Sequence, residues 1–162
     1  MIEEAIVIRV QAEDFDCGAE IGALTAGRDD IGAVVSFTGL VRRGTGAAAI
    51  RAMTLEHYPG MTEKELERIE AEARTRWPLS ACIIVHRYGR LVPGDNIVLV
   101  ITASRHRQAA FEAAEFLMDY LKTSAPFWKK EEPDEGEGNW VNAKSDDDAA
   151  ALRWRDDEVS AK

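Results

Sequence analysis

Two cysteines in 162 residues, Cys17 and Cys82, are too few and too isolated for a disulfide scaffold or a zinc site, and they fit a reduced, cytoplasmic setting. No cluster of histidine, cysteine and carboxylate residues has metal-ligand spacing, so no metal is expected. No apolar run approaches the roughly 18 residues of a membrane span. Glu3 and Glu4 stand where a signal peptide would need basic residues, so a soluble chain with no membrane partner is expected. Positive charge is not in excess either: the formal net charge of −9 argues against a general nucleic-acid binder. No internal repeat is evident.

What is present suffices for one folded domain. A hydrophobic content of 46% over this length supports a real core. The charge is unevenly placed. From Glu131 onward there are eleven acidic residues against four lysines and arginines, a net of −7, which leaves −2 for everything before. The expected division is therefore a single domain over 1–144, followed by an acidic tail over 145–162, partly flexible.

The stretch from Ser104 to Lys130 carries most of the functional information. Strong helix formers predict a helix over 105–122, opened by Ser104 as a cap and ended before Pro126, which lacks a backbone donor. Ala110, Ala114, Leu117 and Leu121, with Phe111 and Met118 alongside, form a broad apolar stripe for a core. The cations stand at its two ends. His106 and Arg107 lie in the first turn, where exposed N–H groups favour an anion, while Lys122 lies in the last and Lys129 and Lys130 follow Phe127 and Trp128. At about 1.5 Å per residue the helix is roughly 25 Å long. Its two ends cannot share one small ligand unless other segments or a second subunit bring them together.

The remaining pattern is of strands and one further long helix. Ala5 to Gln11 alternates as a strand, with Ile6, Ile8 and Val10 on one face, and Asp14 or Asp16 can cap a short helix through Ile21 and Leu24. The β-branched run over 32–42 predicts a strand ending in Arg42, Arg43 and a glycine-containing loop. Ile50 to His57 reads as another strand. After Tyr58-Pro59-Gly60 a helix is expected to start with a Thr62/Glu65 capping box and a Met61 to Leu66 staple, then run through Ile69 and Ala73 with a solvated face that includes Glu70 and Arg74. Strands over 82–88 and 96–103 flank a turn at Pro93-Gly94-Asp95. The segment EEPDEGEG reads as a mobile connector, and a short helix is expected from Ala149 to Trp154. Phe127 and Trp128 read as packing residues, and His57 and His86 as structural.

Five motifs, in order, carry a resemblance: FTGLVR at 37–42, LEHYPGMTEKELE at 55–67, HRYGRLVPGD at 86–95, SRHR at 104–107 and MDYLKTSAPFWKKE at 118–131. Together they resemble the large, catalytic subunit of molybdopterin synthase, the MoaE family, from about Ala33 to Lys144. The resemblance implies an α+β fold, mainly antiparallel sheet with two principal helices packed on it, the α/β hammerhead of that family. It implies a central homodimer whose subunits each bind a ubiquitin-like small subunit, giving a heterotetramer. The small subunit's Gly-Gly C-terminus, activated as a thiocarboxylate, donates sulfur to cyclic pyranopterin monophosphate, and two transfers build the dithiolene of molybdopterin. No cofactor is implied.

Carried over by motif, Lys122 and Lys129 match the family's two key lysines. Arg42, His106, Arg107 and Lys130 match basic residues for the substrate, and Phe37 and Met118 match residues near the pocket. Lys144 matches a position, often arginine in the family, that reaches the neighbouring subunit's pocket; lysine keeps the charge but loses the planar fork. Leu40 stands where a basic residue is common.

The chemistry is consistent with the charges. A phosphate and an incoming thiocarboxylate bring several negative charges into one place, so clustered arginine, histidine and lysine are what Coulomb attraction requires. Lys122 is expected as a proton-transfer group or a transient covalent acceptor, with Lys129 orienting the thiocarboxylate and stabilising developing charge. Two alternatives stand beside this reading. One is a non-catalytic scaffold that binds a ubiquitin-like partner, and the other is a different phosphate-ligand enzyme.

Overall fold

The computed structural model describes residues 5–141 and 145–160. Its first sheet has four strands in the order β1-β4-β6-β2: β1 (Ala5–Gln11), β2 (Ala33–Leu40), β4 (Leu79–Arg87) and β6 (Asn96–Ser104). β1 runs parallel to β4, while β6 lies antiparallel to both β4 and β2. β4 and β6 read as nearly unbroken apolar runs because both faces of this sheet are covered. Cys82, Ile84, Val98 and Val100 point into a core with α2 (Met61–Arg76) and α3 (Arg107–Thr123). Ala81, Ile83, Val85, Leu99, Ile101 and Ala103 point the other way, to Leu24 of α1 (Cys17–Thr25). Ile6 is correspondingly exposed, while Ile8 and Val10 pack on the first core and Val7 on the second.

The second sheet has the order β5-β3-β7-β8, wholly antiparallel: β3 (Ile50–His57), β5 (Gly89–Leu91), β7 (Phe127–Pro133) and β8 (Asn139–Val141). Its Ile50, Met53, Leu55 and Leu91 bury with Val41 in a small core of their own, against Ile97 of the first sheet. The α+β class is as expected, and the long helices α2 and α3 pack on the first sheet.

Several local expectations are corrected by packing. Ser104 does not cap α3; it ends β6, and its hydroxyl donates to the Pro78 carbonyl at 2.7 Å. His106 occupies the cap position with no side-chain cap bond. The buried stripe of α3 comprises Ala110, Ala113, Ala114, Phe116, Leu117, Tyr120 and Leu121, which leaves Phe111 59% exposed. At the start of α2 the capping glutamate lies two residues earlier than expected, with the Gly60 N–H donating to Glu63 at 2.6 Å. Thr62 is buried instead and binds both the N–H and the carbonyl of Tyr58. Met61 is exposed, so the staple does not form. Glu70 is not solvated: it is 1% exposed and accepts from Arg74 at 2.6 Å, an arrangement in which burial without the arginine would be costly.

The acidic segment from 145 folds as α4 (Ser145–Ser160). Trp154 is buried, set edge-on to Trp77 and Phe116 with ring centroids 5.6 and 5.5 Å apart. Its indole N–H donates to Asp119 at 2.7 Å, and Arg153 bridges Glu115 and Asp119. A tail with one large aromatic and one well-placed arginine thus contributes to the main core rather than standing apart from it. No helix among the described residues is long and apolar enough to cross a membrane.

Candidate functional site

The C-terminal end of α3 delivers the first cation. Ser124 N–H bonds back to Tyr120 O at 2.8 Å, which closes the helix and leaves Lys122 in its last turn. A tight turn follows, with Phe127 N–H donating to Ala125 O at 2.8 Å, and the chain then enters β7. β7 pairs along β3, with Leu55 opposite Lys129 and His57 opposite Phe127. Because side chains alternate along a strand, Phe127, Lys129 and Glu131 face one way and Trp128 and Lys130 the other.

The inward residues line a cavity of about 380 Å³ between the two sheets. Lys122, Lys129 and Arg42 meet there, over a floor of Val41, Ile50, Met53, Leu55, Ile97 and Leu121. Arg42 is aimed by its neighbour: buried Val41 donates to Asp95 O and accepts from Gly94 N–H, both at 2.8 Å. The following loop turns at Gly44, whose φ of +78° and close approach to the Ala48 carbonyl exclude a side chain. Ile50 N–H then closes the loop onto Arg43 O at 2.9 Å.

Three further polar side chains line the cavity: Glu131 and Asp147, which the sequence did not single out, and His86, which it read as structural. Glu131 lies 3.4 Å from the Lys129 ammonium, so one carboxylate already sits among the cations. Asp147 comes from α4. His86 ends the apolar run of β4, is 8% exposed and stacks on Phe127 at 3.6 Å between ring centroids. Burial, with the nearby Lys122 and His57 charges, pushes its pKa down to about 4, against a hydrogen bond to the Arg87 carbonyl that acts the other way. It is therefore neutral near pH 7. A polar residue closing an apolar strand was the available signal for His86, and period-two spacing from Lys129 was the signal for Glu131.

The chain's similarity to known proteins agrees with this geometry. The family described as MoaE protein matches residues 10–124. The chain belongs to the MoaE family. Among its relatives is the molybdopterin synthase catalytic subunit of Mesorhizobium japonicum, 60% identical over 93% of this chain and 94% of the relative. The protein of the same name from Escherichia coli is 53% identical over 95% of this chain and all of the relative. The solved structure of the molybdopterin biosynthesis MoaE protein from Burkholderia ambifaria has a TM-score of 0.78 at 55% identity, covering 92% of this chain and 97% of that one. Molybdopterin synthase from Staphylococcus aureus gives 0.74 at 34% identity, covering 82% and 95%.

Within this MoaE chain the other residues singled out by resemblance lie elsewhere. His106 and Arg107 are exposed at the opposite end of α3, roughly 25 Å away for a helix of this length. There His106 borders an open groove with Arg105 and the Arg28–Asp30 ion pair, which closes at 2.8 Å. Lys130 is on the outer face of β7, its ammonium 6.0 Å from the Trp140 ring centroid. Phe37 is 42% exposed on β2, an edge strand, and Met118 packs against the main core. Lys144 lies outside the described residues.

Glu131 to Pro133, expected in a mobile connector, belong to β7. Strand formation is what aligns Lys129 with the cavity, and pairing with β3 supplies it.

Proposed function

We propose that this chain is the catalytic subunit of a molybdopterin synthase, a sulfurtransferase acting on cyclic pyranopterin monophosphate with a thiocarboxylated, ubiquitin-like small subunit as sulfur donor. The convergence of Lys122, Lys129 and Arg42 on one cavity between the sheets carries the reading. Three cations around an apolar floor suit a substrate with a phosphate and a planar ring system, and a donor tail ending in a thiocarboxylate. The names borne by relatives at 53 to 60% identity support the same assignment.

In this reading Lys129 and Arg42 hold the two anions close together in a partly enclosed site, where their attraction is less screened than in water. The thiocarboxylate sulfur bonds to a substrate carbon as a C–O bond at that carbon breaks and its oxygen leaves, and the sulfur–acyl bond of the resulting thioester is then cleaved. The acyl group left behind goes to water, or first to the Lys122 amine as a transient amide, and the small subunit ends as an ordinary carboxylate. Lys122 carries the accompanying proton. No metal or organic cofactor enters these steps. The biosynthetic role belongs to the cytoplasm.

A second copy completes the site. His106 and Arg107 lie too far along α3 to serve their own chain's cavity, and edge strand β2 exposes Phe37 and Leu40, 42% and 52%. An exposed apolar edge is a natural seat for another subunit, in a homodimer that carries two small subunits. His106, Arg107 and Lys144 would then meet the neighbour's substrate, with Phe37 and Met118 bordering it and Lys130 at the outer margin.

The test is turnover in vitro with cyclic pyranopterin monophosphate and thiocarboxylated small subunit, reading the dithiolene product. Product from the wild type but not from Lys122→Ala is the expected result. Tight small-subunit binding with no product from the wild type would leave a scaffold in place of an enzyme.

A further inference from the structure

His86 is the one ionisable side chain that the first sheet contributes to the cavity among the described residues; its other contributions are Leu40 and Ile97. Two contacts fix it. Nδ1 lies 2.8 Å from the Arg87 carbonyl, and since a carbonyl only accepts, Nδ1 carries the proton and Nε2 keeps its lone pair. The ring lies 16° from parallel with Phe127 at 3.6 Å. Phe127 opens β7, two residues before Lys129, so the stack joins β4 of one sheet to the strand of the other that carries a cavity lysine.

We infer that His86 is a positioning residue for the transfer site: a neutral imidazole that anchors the start of β7, and so Lys129, and that offers Nε2 as an acceptor beside Lys122. The inference rests on the synthase reading above. The groups facing it are Lys122 from α3 and His57 from β3, with Arg42, Lys129, Glu131 and Asp147 around the same cavity. A charged imidazole there would repel Lys122 and compete with it for the anionic donor. A neutral one leaves the lysine's charge available and gives its ammonium a fixed partner when water is expelled. The depressed proton affinity of His86 agrees with this arrangement.

Packing alone would also keep an aromatic ring against Phe127, so the variants must separate shape from the lone pair. His86→Phe keeps a ring and removes the acceptor, whereas His86→Gln returns an amide oxygen near the Nε2 position. With cyclic pyranopterin monophosphate and thiocarboxylated small subunit, His86→Phe is expected to lower kcat about tenfold or more with KM within about twofold, and to move the midpoint of the kcat pH profile to lower pH, because the Lys122 ammonium loses its acceptor. His86→Gln is expected to recover to within about threefold of wild type. A wild-type kcat and pH profile for His86→Phe would overturn the inference. So would equal loss in both variants with an unmoved midpoint, which is packing alone.

A second measurement needs no turnover and covers a His86→Phe that does not fold. In the full chain the His86 ring proton is titrated by NMR with and without Lys122→Ala. Removal of the lysine charge is expected to raise the His86 midpoint, and an unchanged midpoint would overturn the coupling. If the wild type makes no dithiolene product, the synthase reading fails by itself, and the NMR titration still decides whether His86 and Lys122 act on each other.

Discussion

The two ends of α3 carry similar charges into different surroundings. At the C-terminal end Lys122 opens onto a cavity walled by both sheets, with Lys129 and Arg42 around it and apolar side chains beneath. At the N-terminal end Arg107 is exposed and His106 stands at an open groove where Arg28 is already bound to Asp30 and to the Ser80 carbonyl. Cations alone therefore do not make a site. What differs is enclosure: the second sheet covers one end of the helix, so charge at that end is less screened than charge at the other.

The comparison is broken most directly at Lys122. Lys122→Ala is expected to reduce turnover about a thousandfold, and Lys122→Arg, which keeps the charge but does not readily release a proton, to remain strongly impaired. Full turnover by Lys122→Arg, measured as dithiolene product, would remove proton transfer from its role. Lys129→Ala should cost about a hundredfold, mainly in kcat, since its proposed role is that of a fixed charge rather than of a proton carrier.

A stability measurement probes the enclosed end without substrate. His86 binds its proton with a pKa of about 4, below the ordinary histidine value of 6.5, so the unfolded chain holds more protons between these two values. Stability contributed by the neutral imidazole is present above pH 6.5 and lost as pH falls towards 4, a loss of about 3 kcal/mol that denaturant midpoints across this window will register. His86→Phe should flatten that slope.

The open end is tested by sharing. His106→Ala is expected to lower turnover about tenfold with no change in thermal midpoint, because the side chain caps nothing. Mixing His106→Ala with Lys122→Ala chains should restore part of the activity if each cavity draws His106 from a neighbour; no restoration would confine each site to one chain. The smallest effect belongs to the exposed Arg43–Asp134 pair, where Arg43→Ala should change stability by less than about 1 kcal/mol in chemical denaturation.

Much of this was legible in the sequence. β1 falls on the residues expected from alternation, β3 on those read as a further strand, and α2 ends where Trp77 approaches, because these segments carry their own local signals. The residue types of the cavity were also visible: a helix-ending lysine, a lysine after the proline and an arginine after a β-branched run. Phe127 to Pro133 was not legible as a strand. It contains two lysines, two glutamates and a proline, a composition with little intrinsic β preference, and it is extended because β3 and β8 pair with it. Trp154 was expected only as the end of a short helix, and its burial was not legible for a similar reason, since an acidic segment gives no amphipathic stripe and its buried aromatic is recognised only against Trp77 and Phe116.

The sequence by itself determined the cations, the helix that carries Lys122 and the turn that releases the chain after it. The tertiary structure decided which of those cations share a cavity. A strand has two faces, and only its long-range partner sets which face turns inward: pairing with β3 put Lys129, Glu131 and Phe127 inside with His86, and sent Lys130 out to Trp140.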